Sequence, residues 1–216
     1  MRKAVLALIV TLGLALPAGH SLAGAQQQTE FQPGSPGVGD PYFPLDGNGG
    51  YDVQNYRLKL TYDPATDILT GIATIRALAT QDLSRFNLDL DGLTVRSIAV
   101  NRRRATWTRD AGELTVTPRS GLRADRRFTT VVRYDGVPKT IGGAQLGQSG
   151  FIHTDDGALV VGEPHVAATW FPVNDHPSDK ATYTFAVTVP KGLEAVANGN
   201  LQDRQSSRGW TTWTWR

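Results

Sequence analysis

Apolar and polar residues alternate with a period of two along much of the chain from Tyr51 onward. Tyr56, Leu58, Leu60 and Tyr62 interleave with Arg57, Lys59 and Thr61, as a strand with one buried face requires, because successive side chains point to opposite faces. Asp63-Pro64 ends this run as a turn. Ile68 to Ala79 is rich in β-branched and small residues and reads as the antiparallel partner. Phe86, Leu88 and Leu90 repeat the alternation up to a turn at Asp91-Gly92. Short strands are expected at Leu93 to Val100, Ala105 to Thr108 and Glu113 to Thr117. Phe128, Thr130, Val132 and Tyr134 alternate again before Asp135-Gly136. Short strands separated by turn residues predict an all-β fold, an antiparallel sheet or sandwich.

Val137 to Gly157 breaks the rhythm with Gly142-Gly143, Gly147, Gly150 and Gly157, and reads as a long exposed loop. Strand patterns resume at Ala158 to Val161, at Tyr183 to Val189 with Tyr183, Phe185, Val187 and Val189 facing inward, and at Leu193 to Ala197. Asn198-Gly199 is a hairpin-turn signal. Trp210 to Trp215 alternates bulky and small residues and stops at Arg216, which reads as a chain truncated inside a strand. Outside the N-terminal leader, no stretch carries three turns of amphipathic helix.

The first residues have a different pattern. Met1-Arg2-Lys3 is a positive start, Ala4 to Leu16 is apolar, Pro17 and Gly19 break the run, and Ala23-Gly24-Ala25 offers small residues. These are the parts of a secretory signal peptide, expected to occupy 1–25, and the run is short for a spanning helix of about 20 apolar residues. Residues 26–48 form a Pro/Gly-rich linker, with Phe31, Tyr42 and Phe43 available to tack it down. An extracytoplasmic domain over 49–216, with no later membrane span, is the expectation.

Composition narrows the function classes. With 40% hydrophobic and 19% charged residues among 216, a packed core is within reach. The absence of cysteine removes disulfides, thiolate metal sites and thiol nucleophiles. A net charge of +2 does not advertise nucleic acid, and Arg102-Arg103-Arg104 and Arg126-Arg127 read as solvated loop charge without interleaved aromatics. Asp175, His176 and Asp179 imitate a metal cluster, but Pro177 forces a turn among them, and Asp175 with Lys180 is expected to pin it. His153 beside Asp155-Asp156 lacks ligand spacing. The five tryptophans are assigned to sheet packing rather than to a carbohydrate platform.

Between Glu163 and Asn200 the order of elements is more informative than any one of them. Phe171-Pro172, Asp175-His176-Pro177, Lys180-Ala181, Tyr183, Pro190 and Asn198-Gly199 follow one another. This series resembles the N-terminal domain of the aminopeptidase N family of zinc metallopeptidases, to which leukotriene hydrolase also belongs. Asp40-Pro41-Tyr42-Phe43-Pro44 and Gly50-Tyr51-Asp52-Val53 look like the start of secreted bacterial members. The resemblance spans about Asp40 to Arg216 and implies a saddle-like β-domain. It departs from the family at Val173, where many members have Cys, and at Asn55, where His is common.

The resemblance also implies what this stretch lacks. In the family a following catalytic domain carries H-E-x-x-H and a further Glu, which hold zinc in the full-length enzyme. The motif's Glu acts as general base there. None of the four histidines here precedes a Glu, and a G-x-M-E-N substrate motif is impossible when Met1 is the only methionine. No metal ligand and no catalytic residue are therefore expected in this chain. One residue is expected to touch substrate. In the family an acidic or amide side chain of the N-terminal domain helps bind the peptide α-ammonium, and Glu163, 12 positions before Asp175, stands at that place. At Val161 related enzymes often have Gln. The alternative is a non-enzymatic extracellular β-sandwich binding carbohydrate or protein, with an exposed aromatic patch and a closed sheet. The first reading expects an apolar face near Arg216.

Overall fold

The computed structural model describes residues 30–143, 147–162 and 165–216. The leader and the first linker residues assigned from sequence lie outside this range. The described residues form strands β1 (Gln32–Pro33), β2 (Tyr51–Asp63), β3 (Ile68–Ala79), β4 (Leu83–Asp89), β5 (Thr94–Val100), β6 (Arg103–Arg104), β7 (Thr106–Asp110) and β8 (Glu113–Thr117). They continue with β9 (Arg127–Gly136), β10 (Thr140–Gly143), β11 (Gly147–Thr154), β12 (Gly157–Val161), β13 (Thr182–Pro190), β14 (Leu201–Ser207) and β15 (Trp210–Trp215). A 3-10 turn at Ala167–Thr169 is the only helical element among them. The fold is all-β, as the alternation predicts.

The strands make three sheets. The largest has eight strands in the order β14-β15-β13-β2-β3-β9-β5-β6, beside a four-stranded sheet β1-β4-β8-β7 and a three-stranded sheet β10-β11-β12. Pairing is antiparallel except between β13 and β2 and between β1 and β4. The inward residues of the large sheet, among them Tyr56, Leu58, Ile75, Val132 and Ile98, form one buried cluster with Phe86, Leu88, Leu114 and Val116 of the four-stranded sheet. Burying each such side chain contributes about 1.5–3 kcal/mol, so this cluster is the main source of stability. Gly71 is required within it, because a Cβ there would lie 2.2 Å from the Tyr134 ring that crosses it from β9.

Several local readings change. Val137 to Gly157 is not a long loop: its glycines sit in and beside the β10–β11 and β11–β12 pairings, where backbone hydrogen bonds build strands without an alternating pattern. Leu193 to Ala197 is not a strand, and Lys191 with Leu193 makes only an isolated bridge. The hairpin joining β14 to β15 turns at Arg208-Gly209, both with positive φ (50° and 83°), and not at Asn198-Gly199. A two-residue turn of this hand matches strand twist, and Gly209 supplies half of it. The strand β14 (LQDRQSS) is exposed throughout, so it has no apolar face to show in the sequence.

The connection from β12 to β13 is seated by buried polar groups. Asn174, 5% exposed, donates its backbone N–H to Tyr56 Oη at 2.9 Å, accepts the Asn48 N–H at 2.6 Å, and donates from Nδ2 to the Asn48 carbonyl at 3.1 Å. Asp89 at the end of β4 accepts the Asp175 N–H at 2.7 Å and Asn48 Nδ2 at 3.1 Å, while its backbone exchanges two hydrogen bonds with Val173. Asp179 accepts the Val53 N–H at 3.1 Å and a bond from Asn174 Nδ2. Asp175 pairs with the Ala168 N–H at 3.1 Å, not with Lys180 as the sequence suggests. Three stretches far apart in the chain, 48–56, Asp89 and 173–179, are thereby tied at one point.

This seating titrates. Burial pushes Asp89 up to about 6, against the opposing pull of the Asp175 N–H and Asn48, and burial likewise raises Asp179 to about 6 and Glu113 to about 7. A carboxyl whose folded pKa lies above its unfolded value of about 4 holds its proton more tightly when folded. Its stabilising share is complete below about pH 4 and is lost as pH rises through the folded pKa. Chemical denaturation is therefore expected to show the domain more stable at pH 5 than at pH 8, by on the order of 2 kcal/mol. Asp89→Asn should flatten that slope. Stability rising steadily from pH 5 to pH 8 would contradict the assignment.

Candidate functional site

The predicted site segment leaves β12 at Val161 and re-enters the structure at His165. Glu163 falls between these points, outside the described residues, so its side chain carries no geometry. Its flanks are held. The His165 ring meets Phe43 edge-on at 4.9 Å, with Nδ1 2.7 Å from Asp46 Oδ2 in ion-pair contact but outside hydrogen-bond alignment. Two residues on, the 3-10 turn begins and is fixed by Asp175. The β11–β12 hairpin supports the other side, with Val160 opposite Phe151 and Val161 opposite Gly150. Phe43, one of the linker aromatics, thus reaches the segment, Phe31 lies under Arg123 at 4.7 Å, and Tyr42 stays 85% exposed.

Beyond the 3-10 turn the chain presents a run of aromatic rings. Trp170 meets Phe171 edge-on at 4.4 Å and lies near-parallel to Phe185 at 6.3 Å. Tyr183 stacks on Tyr56 at 5.1 Å and on Phe185 at 5.6 Å. Tyr56 and Phe171 are buried, whereas Trp170, Tyr183, Phe185 and Val187 are only half-buried. The alternation along β13 correctly puts Tyr183, Phe185 and Val187 on one face, but they reach the boundary of the core, not its centre. Burial, followed by the charges of Asp179 and Asp175, raises the Tyr183 phenol to about 12, so it remains a neutral donor at ordinary pH.

Two hollows open on this aromatic face. One, of about 480 Å³, lies between the β2–β3 end, the β11–β12 hairpin, β13 and residues 193–198. The other, of about 430 Å³, is bordered by Trp170, Phe171, Tyr183, Phe185 and the Gly199–Arg216 contact. Large apolar side chains stand exposed around them: Val196 at 81%, Leu159 at 57% and Val161 at 47%. Exposed apolar side chains gathered beside such hollows suit contact with another body. An apolar face near Arg216 is expected from the sequence; its members come from β12, β13 and the loop that the sequence reads as a strand. The tryptophans do not make a flat exposed platform. Trp213 is 7% exposed beneath the Arg204 guanidinium at 4.7 Å, and Trp215 donates its indole N–H to the Ala195 carbonyl at 2.9 Å.

The histidines fit zinc poorly. His153 is bracketed by Asp67 Oδ1 at 3.0 Å, Tyr62 Oη at 3.1 Å and the Pro138 carbonyl at 3.0 Å, which occupy both ring nitrogens. His176 Nδ1 contacts Ser178 Oγ at 2.7 Å, and its Nε2 lies 3.5 Å from Asp40. Among the described residues no three His, Asp or Glu side chains are grouped to hold a metal ion. No helix among the described residues is long and apolar enough to cross a membrane.

Comparison with known proteins agrees with this architecture. Residues 52–216 match the family described as the Peptidase M1 N-terminal domain. No curated protein matches. Among solved structures, an M1 zinc metallopeptidase from Deinococcus radiodurans is 35% identical with a TM-score of 0.77, over 83% of this chain and 41% of that one. A variant of that organism's enzyme bound to a Tyr-Ser-Ala substrate is likewise 35% identical, with a TM-score of 0.77 over 83% and 42% of the two chains. A two-domain M1 zinc metallopeptidase variant bound to L-arginine gives 35% identity and a TM-score of 0.78 over the same shares. The chain therefore spans about two fifths of the length of these enzymes. With its strands, its seated Phe-Pro to Asp-x-Pro segment and this match in hand, the chain belongs to the M1 zinc metallopeptidase family, as its N-terminal domain.

Proposed function

We propose that this domain serves an exported zinc aminopeptidase, in which it covers one side of the active-site cleft and positions the free amine of a peptide. The observation that carries the reading is the apolar face around Trp170, Tyr183 and Phe185. That face is suited to packing on a catalytic domain, because half-buried aromatic rings gain most from being covered. A carboxylate such as that of Glu163 is an effective counter-charge for a peptide α-ammonium. The leader at 1–25 supports export. The reaction implied for the complete enzyme is removal of N-terminal residues from peptides. Zinc would come with the catalytic domain, and this chain's own part is to bind and orient.

The 216-residue chain by itself is expected to cleave no aminoacyl-anilide in the presence of zinc; zinc-dependent turnover by the pure chain would overturn the division of labour. In a longer protein that also carries the catalytic domain, Glu163→Gln is expected to lower kcat/KM on free-amine peptides by about tenfold to a hundredfold, the loss of one charge-assisted contact. N-acetylated analogues should show no such difference. An unchanged kcat/KM would remove Glu163 from the site.

A further inference from the structure

The face of the large sheet turned away from the core is the part of the molecule that the peptidase reading does not use. Its residues follow from the register. Lys59 stands opposite Ile72, and Ile72 opposite Arg133. Arg57 stands opposite Thr74, then Val131, then Ala99, then Arg104 on β6. Arg76 stands opposite Thr129, and Arg127 opposite Leu78. All six cations are exposed. Arg127 donates to Gln54 Oε1 at 3.1 Å, and none of the six has a carboxylate partner among the described residues. The carboxylates on this face lie at its margins: Asp135 is already held by Arg96 at 2.8 Å, Asp52 and Asp63 are at the two ends of β2, and Asp203 is on the edge strand.

This charge is segregated, not excess. Of the 22 Lys and Arg residues, two lie in the leader, leaving 20 against 20 carboxylates. A chain that is neutral beyond its leader thus puts six cations without a carboxylate partner on one sheet face, while the half-buried carboxylates Asp89, Asp175 and Asp179 gather at the polar junction. Neighbouring strands are about 4.8 Å apart and alternate residues about 6.7 Å apart along a strand. The cations therefore form a two-dimensional patch across β2, β3, β9 and β6, not a line. The hydroxyls of Thr61, Thr70, Thr74 and Thr129 stand among them as further donors.

We propose that this outer sheet face docks on the anionic phosphate headgroups of a phospholipid bilayer. A planar spread of cations matches an extended charged surface, to which each contributes by screened attraction within a Debye length. A nucleic-acid strand is a poorer match. The rows built on Arg57, Lys59 and Arg76 carry no aromatic ring between the cations on which bases could stack, and the patch does not track a linear backbone. The apolar inner face remains free for the catalytic domain, so docking and catalysis would use opposite sides.

The test is sedimentation of the whole 216-residue chain with vesicles of pure phosphatidylcholine and of phosphatidylcholine with about a third phosphatidylglycerol. The leader is the same in every variant and cancels from the comparison. The parent chain is expected to prefer the anionic vesicles, and the preference should vanish near 1 M salt, where the Debye length is about 3 Å. Reversing Arg57, Lys59, Arg76 and Arg133 to Glu should lower partitioning to anionic vesicles by at least about tenfold. The four Gln substitutions, which keep the polar surface if the reversal fails to fold, should give a smaller loss in the same direction. Reversing Arg119 and Arg208, which lie off this face, should change nothing. Equal binding to both vesicle types, or a preference that survives the four substitutions, would overturn the proposal. So would binding of inorganic polyphosphate or duplex DNA through these four residues without any preference for anionic vesicles.

Discussion

The arrangement of this domain depends on one buried polar junction. Asn174 connects to Tyr56, Asn48 and Asp179, and Asp89 connects to Asp175, Asn48 and Val173. These groups draw together the end of β4, the start of β2, the 46–48 turn and the connection into β13. An unsatisfied buried polar group costs roughly 1–3 kcal/mol, so a junction that satisfies most of its members strongly favours one placement of that connection over others. Apolar packing alone would hold β13 against β2 but would not fix where the preceding loop enters. The cost is that several carboxyl groups sit where charge is disfavoured.

From that fixed point the two sides of the large sheet acquire different characters. Inward, Phe171 is buried beside Tyr56, and the half-buried rings of Trp170, Tyr183 and Phe185 continue from it to the molecular surface. The core therefore reaches the molecular surface through these rings. Outward, exposed side chains of the same strands carry threonine and cations without a carboxylate partner. Strand β2 shows both characters at once: Tyr56, Leu58 and Leu60 are buried in one direction, and Arg57 and Lys59 are exposed in the other.

Much of this was legible in the sequence. The period of two located β2, β4 and β9, because each has a buried face, and the β-branched and small residues of Ile68 to Ala79 located β3. The ordered series from Phe171-Pro172 to Asn198-Gly199 pointed to the family. What was not legible has physical causes. The strands β10 and β11 carry glycine where an alternation would be read, and their pairing is a backbone property. The strand β14 is exposed on both faces and shows no pattern. A turn at Arg208-Gly209 lacks the Asn or Asp that usually marks one. Asp175 looked like a partner for Lys180 by proximity in sequence, yet it caps the 3-10 turn. The polar junction was hidden most completely, since Asn48, Asp89 and Asn174 are far apart in the chain, and alone Asn48 and Asn174 read as loop residues and Asp89 as the polar face of a strand. Of the outer cations, Arg57 and Lys59 were visible as the solvent-facing half of the alternation, whereas Arg104 and Arg127 read as loop charge although β6 and β9 carry them.

Residue-resolved amide hydrogen exchange tests the junction most directly. If it holds the connection as described, the N–H groups of Asn48, Val53, Asn174 and Asp175 should exchange only on global unfolding, at the rates of core amides such as those of Ile75 and Val132. Exchange of these four at the rates of the exposed β14 amides, while the core stays protected, would show that the connection opens locally and that the account is wrong.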